Sequence, residues 1–98
     1  MTDEEFLDLR ASDKRYIEKT IDYYFEGLKK YDKKPELMFD MSDINGNYYP
    51  IIIAVENGDN RTYLWITESG IKYSHNRGEP KEFHLPFPLY SDIVNYIK

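Results

Sequence analysis

The stretch YYPIIIAVENGDNRTYLWITESGIKY, residues 48–73, holds the densest run of β-branched and aromatic residues in this chain of 98 residues. Such side chains fit the pleated, half-buried surface of a sheet. Two turn signals divide the stretch, an Asn-Gly pair within residues 57–60 and a Ser-Gly pair within residues 68–70. The stretch therefore predicts a three-stranded antiparallel meander around which the rest of the chain packs.

The first turn decides how the first two strands pair. A two-residue asparagine–glycine loop competes with a four-residue loop over residues 57–60. The longer loop places Glu56 opposite Arg61 and Ile53 opposite Leu64. Because each favourable cross-strand pair contributes roughly 0.2–1 kcal/mol, we predict the four-residue loop.

The second turn, residues 68–70, fits a three-residue loop with Gly70 in the left-handed conformation of a bulge, where glycine has no Cβ penalty. This loop assigns the side chains of the meander to two faces. The predicted aliphatic face carries Ile51, Ile53, Val55, Leu64 and Ile66. The predicted aromatic face carries Ile52, Ala54, Tyr63, Trp65, Ile71 and Tyr73.

A helix over residues 13–31 is predicted to cover the aliphatic face. Its apolar residues recur at spacings of three and four, with charged residues on the opposite side. Thr2 and Glu5 form a capping box that predicts a shorter helix before it, anchored by Phe6, and Ser12 is placed to cap the longer helix. The predicted apolar stripe of the longer helix consists of Ile17, Ile21, Tyr24, Phe25, Leu28 and Tyr31.

Two further segments complete the predicted fold. Residues 36–41 are apolar enough for a fourth strand. In residues 83–89, every second residue is apolar, and Pro86 and Pro88 lie among the residues between them. This alternation predicts an edge strand whose outer side lacks two N–H donors. The alternative is a polyproline II segment docked by its aromatic rings. Ser91 is placed to cap a final short helix. We therefore expect a single α+β domain over residues 1–98, with a four- to five-stranded antiparallel sheet, N-terminal helices on one face and a short C-terminal helix.

Composition excludes several classes of protein. The chain has 41% hydrophobic and 32% charged residues, which is typical of a globular domain, and it lacks cysteine, which excludes disulfides and thiolate metal sites. Its longest apolar run, residues 50–55, is far shorter than the ~20 residues that span a bilayer, and its acidic start MTDEEF differs from the basic opening of a signal peptide. We expect a cytoplasmic protein without a membrane partner.

No sequence motif points to a reaction or a cofactor. Phosphate-binding and dinucleotide-binding patterns are absent, and the calcium-loop-like stretch that begins at Met41 fails because Met41 and Ile52 occupy positions that need carboxylates. His75 and His84 are the side chains that titrate near neutrality. A small-ligand-binding or enzymatic domain that uses these two histidines is one alternative. We expect no catalytic residue, no metal and no cofactor.

The aromatic face is the predicted functional surface. Trp and Tyr are common among the energetic hot spots of interfaces, so Trp65, Tyr63, Tyr73 and Ile52 are the predicted protein-binding residues. In the opposite interpretation, the segment 83–97 covers this face and makes it a second core. A net charge of −5 suits a protein partner with a basic surface and disfavours nucleic acid.

These observations favour a non-enzymatic protein-binding module. Size and acidity fit a small inhibitor or regulator of another protein, of the immunity-protein class or the class of phage-encoded anti-defence inhibitors. A second alternative to this function is single-strand nucleic-acid binding, with bases stacked on the aromatic face. The identity of the partner and the oligomeric state do not follow from the sequence.

Overall fold

The computed structural model describes residues 2–12, 16–31 and 34–97. Their elements in chain order are α1 (Asp3–Ser12), α2 (Tyr16–Lys30), β1 (Lys34–Ser42), β2 (Tyr48–Asn57), β3 (Asn60–Thr67), β4 (Gly70–His75), β5 (Lys81–Glu82) and α3 (Tyr90–Val94). The strands form one antiparallel sheet in the order β1-β2-β3-β4-β5. The predicted α+β fold is therefore confirmed. The predicted helix start at residue 13, the Ser12 cap and the Ile17 side chain lie outside the parts that the structure describes.

The first hairpin has the predicted register. Glu56 pairs with Arg61, and the apolar pairs follow behind them. Asn57 also pairs with Asn60, so the turn itself contains two residues rather than the predicted four. Gly58 has a φ of 65°, a conformation that glycine adopts without steric cost.

The predicted second turn is wrong. Thr67 pairs with Gly70, which leaves a two-residue turn, and Gly70 has a φ of 156° rather than a left-handed helical value. A Cβ on Gly70 would lie 3.2 Å from the carbonyl oxygen of Pro86. The N–H of Ile71 donates to the same oxygen at 2.9 Å. A long-range contact with the C-terminal segment therefore fixes this turn.

This difference of one residue turns β4 over relative to the prediction, because a one-residue slip moves every side chain of a strand to the other face. Ile71 pairs with Ile66, and Tyr73 pairs with Leu64. Ile71 and Tyr73 therefore lie on the aliphatic face, and their predicted place on the aromatic face is wrong.

The main core lies between the aliphatic face, the helices and the C-terminal segment. The predicted edge strand over residues 83–89 is wrong, since strand pairing ends at Glu82 and bends follow. Phe83 and Phe87 are nevertheless buried, as expected for a segment docked by its aromatic rings. The buried residues of the main core are Phe6, Ile21, Tyr23, Tyr24, Leu28, Ile53, Val55, Leu64, Ile66, Ile71, Phe83, Phe87, Ile93 and Ile97.

Two of the three predicted helix caps, those at Thr2 and Ser91, can be compared with the structure. The N–H of Glu5 donates to the Thr2 hydroxyl at 3.2 Å, which confirms the start of α1. The cap predicted at Ser91 is wrong, because Ser91 lies inside α3. The residue at the N-cap of α3 is Leu89, which makes no side-chain capping bond.

The buried side of α2 is wider than the predicted stripe. Phe25 is half-buried and Tyr31 is exposed, although both were predicted to face the core. The helix contacts the sheet as well as α1 and α3, so more of its surface is covered than a single stripe. Its buried residues are Thr20, Ile21, Tyr23, Tyr24, Gly27 and Leu28.

Two adjacent tyrosines on α2 form hydrogen bonds with residues near both termini of the chain. The Tyr23 hydroxyl donates to Asp3 at 2.7 Å and accepts from the N–H of Tyr90 at 3.2 Å. The Tyr24 hydroxyl donates to the Pro88 carbonyl at 2.7 Å. Burial raises the pKa of Tyr23, and the hydrogen bond to Asp3 raises it further. Each buried phenol therefore has a polar partner, as buried tyrosines require.

Gly27 provides the space in which Tyr90 packs. A Cβ built on Gly27 would lie 2.3 Å from Cγ of the Tyr90 ring, much closer than any packed contact allows. The ring also contacts Tyr23 and Tyr31, at centroid distances of 5.3 and 5.9 Å. The cost of a glycine inside a helix is therefore balanced by the docking of an aromatic ring.

We predict that Gly27→Ala destabilises the protein, although alanine is the better helix former by about 1 kcal/mol. The new methyl group forces the Tyr90 ring out of place, so the free energy of unfolding in urea should fall by about 1–3 kcal/mol. In a Tyr90→Ala background the same substitution should be neutral or stabilising. Equal destabilisation in both backgrounds would contradict the packing role of Gly27.

Candidate functional site

Three of the four predicted binding residues, Trp65, Ile52 and Tyr63, are buried on the aromatic face, and the fourth, Tyr73, is partly buried on the other face. Trp65 and Ile52 are 0% exposed and Tyr63 is 6% exposed. The exposure that the predicted surface required is therefore absent. The segment that was expected to cover this face as the alternative, residues 83–97, lies instead on the other side of the sheet, because Phe83 and Phe87 belong to the main core.

Trp65 is enclosed by side chains of the sheet itself. Its ring lies 4.9 Å from the Tyr49 ring and 5.7 Å from the Tyr63 ring, measured between centroids. Its Nε1–H donates to the Ser74 hydroxyl at 2.9 Å. Met38 packs against the same cluster. The aromatic face is therefore a second small core, in which the indole N–H of Trp65 has a hydrogen-bond acceptor.

A hydrogen bond joins two opposite corners of the sheet. Ser42 and Arg77 belong to opposite corners, since Ser42 pairs with Tyr48 at one end and Thr62 pairs with His75 at the other. Even so, Arg77 Nη2 donates to the Ser42 carbonyl at 3.2 Å. Strand twist has a fixed hand, and it brings one diagonal pair of corners together. Here the Arg77–Ser42 hydrogen bond joins such a pair of corners.

Arg61 covers Tyr63 at the other end of the aromatic face. Its guanidinium carbon lies 5.6 Å from the centroid of the Tyr63 ring, within the range of a cation–π contact. Glu36 on β1 holds the guanidinium at 2.5 Å, and Glu56 lies 3.8 Å from it. The predicted cross-strand pair of Glu56 and Arg61 therefore also shields an aromatic ring from water.

Asp43 organises the loop between β1 and β2. Its carboxylate accepts from the N–H groups of Asn45 and Asn47 at 2.9 and 3.0 Å, and from the Tyr49 hydroxyl at 2.9 Å. Burial acts to raise the pKa of Asp43, but these hydrogen bonds outweigh it and the pKa is lowered. Burial, with the bond to Asp43, raises the pKa of Tyr49 to about 12. The carboxylate is committed to the loop, and no cluster of three potential metal ligands occurs in the described residues.

The two histidines do not share a pocket. His84 lines a cleft of about 260 Å³ together with Lys72 and Glu82. His75 lines a different cleft of about 190 Å³, and its Nδ1 lies 3.1 Å from the Thr62 hydroxyl. These two clefts each contain one histidine, so they give no support to a single site that uses both. The base-stacking alternative lacks exposed rings on the aromatic face for the same reason as the protein-binding prediction.

Exposed apolar side chains concentrate on the β1–β2 hairpin. The large apolar residues exposed in the described chain are Leu7, Tyr31, Leu37, Phe39, Ile44, Tyr48 and Leu85. Those between residues 37 and 48 form what we term the hairpin surface, namely Leu37, Phe39, Ile44 and Tyr48. Phe39 and Tyr48 are 60% and 61% exposed. Several exposed apolar side chains on one hairpin make it a candidate binding site.

The strand order explains why the hairpin surface is uncovered. β1 is the edge strand of the sheet, and Leu37 and Phe39 alternate along it on the aliphatic side. Neither is buried by α2. Beside them, the Tyr48 hydroxyl donates to Asp40, and this hydrogen bond raises the pKa of Tyr48.

Sequence reasoning placed a strand here but did not identify it as an edge. Pro35 held the available signal, because proline within a sheet is confined to edge strands, strand starts and bulges. Asp40, with a φ of 55°, adds a second irregularity that is common at edges. The exposure of Leu37 and Phe39 follows from that position in the sheet.

The geometry defines an α+β domain with a doubly packed sheet and one apolar edge. Comparison of the chain with protein-family models, with curated proteins and with solved structures found no match. Among the described helices, none is both long and apolar enough to cross a membrane.

We predict that Arg77→Ala loosens the second core around Trp65, because it removes the hydrogen bond that joins the two corners of the sheet. Because Trp65 is the single tryptophan, its fluorescence reports on the second core alone. Wild-type emission should be blue-shifted and poorly quenched by acrylamide, and the variant should be quenched more strongly. Lys81→Ala, which removes an exposed cation from β5, is the matched control and should behave as wild type. Unchanged quenching in Arg77→Ala would remove the role assigned to the two corners.

We predict that the Asp43 carboxylate makes the free energy of unfolding fall as the pH is lowered into the acid range. A carboxyl whose pKa is lower in the folded state stabilises the fold fully above its unfolded pKa of about 3.9, and this stabilisation is lost as the pH falls through the folded pKa. Urea titrations from neutral pH down to the acid range should therefore show a steeper loss for wild type than for Asp43→Asn. Parallel pH profiles would show that the loop does not depend on the charged form.

Proposed function

We propose that the protein is a non-enzymatic binding module that recognises another protein through the hairpin surface. The observation that carries the proposal is the position of Phe39, an aromatic side chain left 60% exposed on an edge strand while the apolar side chains of the central strand β3 are buried. Aromatic residues dominate the energetics of interfaces when a partner buries them. This places the proposed contact on β1 and its hairpin rather than on Trp65.

The rest of the hairpin surface supports the proposal. Leu37 lies two residues from Phe39 on the same side of β1, and Tyr48 follows in the hairpin with its hydroxyl oriented by Asp40. A partner that covered them would bury apolar area with a polar rim, which is the usual anatomy of a protein interface.

Charge supports a basic partner. The chain has 18 acidic and 13 basic residues, which gives a net charge of −5. Opposite charge on a partner accelerates association, and like charge on nucleic acid slows it. An acidic inhibitor or regulator of a basic protein, in the cytoplasm of a bacterium or during phage infection, is the setting that we propose.

The test is differential capture from an extract of the cells that express the protein. Immobilised wild-type protein should retain a partner that Phe39→Ser does not, because loss of an aromatic hot spot costs about 2–4 kcal/mol of binding. Leu85→Ser is the matched control, since Leu85 is also an exposed apolar residue but lies outside the hairpin.

Stability measurements make this test specific. Phe39 is already mostly in water, so Phe39→Ser should lower the free energy of unfolding by less than about 1 kcal/mol. A partner retained equally by wild type and Phe39→Ser, or lost equally from both serine variants, would contradict a contact at the hairpin surface.

A further inference from the structure

We propose that the hairpin surface binds an extended segment of a basic protein, which adds to β1 as a sixth strand and reads basic–apolar–any–apolar–basic. This inference rests on the proposed function and specifies the partner's chemistry. The open outer side of β1 carries main-chain hydrogen-bonding groups that a strand can pair with, as in other cases of strand addition.

Two features of β1 limit the length of the added strand. Pro35 lacks an N–H and cannot donate to a partner. Asp40 has a φ of 55°, which takes its backbone out of the extended conformation. Regular pairing is therefore confined to residues 36–39, with Asp40 at its boundary. The partner segment needs only about five residues, and longer edge-to-edge growth is blocked at both ends.

The side chains of this window define the pattern. Glu36 and Asp40 are acidic and exposed, and they stand at its two ends. Each has one carboxylate oxygen bound within the chain, to Arg61 and to the Tyr48 hydroxyl, and each has a second oxygen that can accept from a basic residue. Leu37 and Phe39 lie between them on one side of the strand. Residues directly opposite one another on paired strands contact each other, so basic residues fit opposite the two acids and apolar residues fit opposite Leu37 and Phe39. The pattern is symmetric, so it holds for either direction of the added strand.

The same pairing rule disfavours a second copy of this chain as the occupant. In the antiparallel register that places Leu37 opposite Phe39 of another copy, Glu36 lies opposite Asp40 twice. Like charges directly opposite one another destabilise a pair of strands. Two chains that each have a net charge of −5 also repel at long range.

The probe is a cyclic β-hairpin peptide with one outward strand of sequence Lys-Ile-Thr-Ile-Lys, because a preformed strand binds with a smaller loss of conformational freedom. Amide resonances of the full-length protein are followed by NMR as the peptide is added. We expect shifts at residues 36–40 and at Tyr48, with affinity that weakens as salt is raised.

Three matched measurements test the mode of binding. A peptide with Glu in place of both Lys residues should not bind. A peptide N-methylated at its outward amides keeps its side chains but loses strand pairing. Its affinity should be lower by a factor of about ten or more. Phe39→Ser should lose binding of the original peptide, and Leu85→Ser should retain it.

The outcomes separate this inference from the proposed function. Equal binding of the N-methylated peptide, shifts on the charged side of α2 instead of β1, or a dimer in sedimentation that Phe39→Ser dissociates would each overturn strand addition. If the peptide does not bind while a captured partner still depends on Phe39, strand addition fails and the proposed function stands. If no partner depends on Phe39, both fail.

Discussion

The pairing register of β3 with β4 determines both cores of this protein. In the observed register Ser74 lies on the aromatic face and accepts the indole N–H of Trp65, while Tyr73 enters the main core. A shift by one residue would exchange these two side chains between the faces. Trp65 would then keep a buried N–H without this acceptor, at a cost of about 1–3 kcal/mol. The hydrogen bond from Ile71 to Pro86 holds the register that avoids this cost.

The contrast between the two hairpins shows what the sequence can predict. Glu56 and Arg61 lie opposite one another because the first turn and its flanking pairs contain all the information that sets the register. The second turn depends on Pro86, which is distant in sequence and whose carbonyl fixes Ile71 and excludes a side chain at Gly70. Local turn chemistry therefore favoured a loop that long-range packing rejects. The packing of Tyr90 against Gly27 likewise could not be predicted from local sequence, because the two residues are distant in the chain.

Tyrosine content was a poor guide to the location of a binding surface. Tyr23 and Tyr24 dock the N-terminal helix and the C-terminal segment, and each phenol is satisfied by a group far away in the chain. Tyr49 and Tyr63 enclose Trp65. These roles need an apolar ring with a polar tip, the same property that makes tyrosine common at interfaces. Composition cannot distinguish the two uses, whereas position in the sheet can.

The edge strand combines two opposing features that stability alone does not explain. Pro35 and the kink at Asp40 reduce the capacity of β1 to pair with other chains, which is how natural proteins protect an open sheet edge. Leu37 and Phe39 between them increase that capacity, and Phe39, which is 60% exposed, contributes little to folding. A polar residue in place of Phe39 would give a safer edge at little cost to stability. Apolar side chains retained between two blocking residues therefore favour a short, bounded recognition site over an accident of packing.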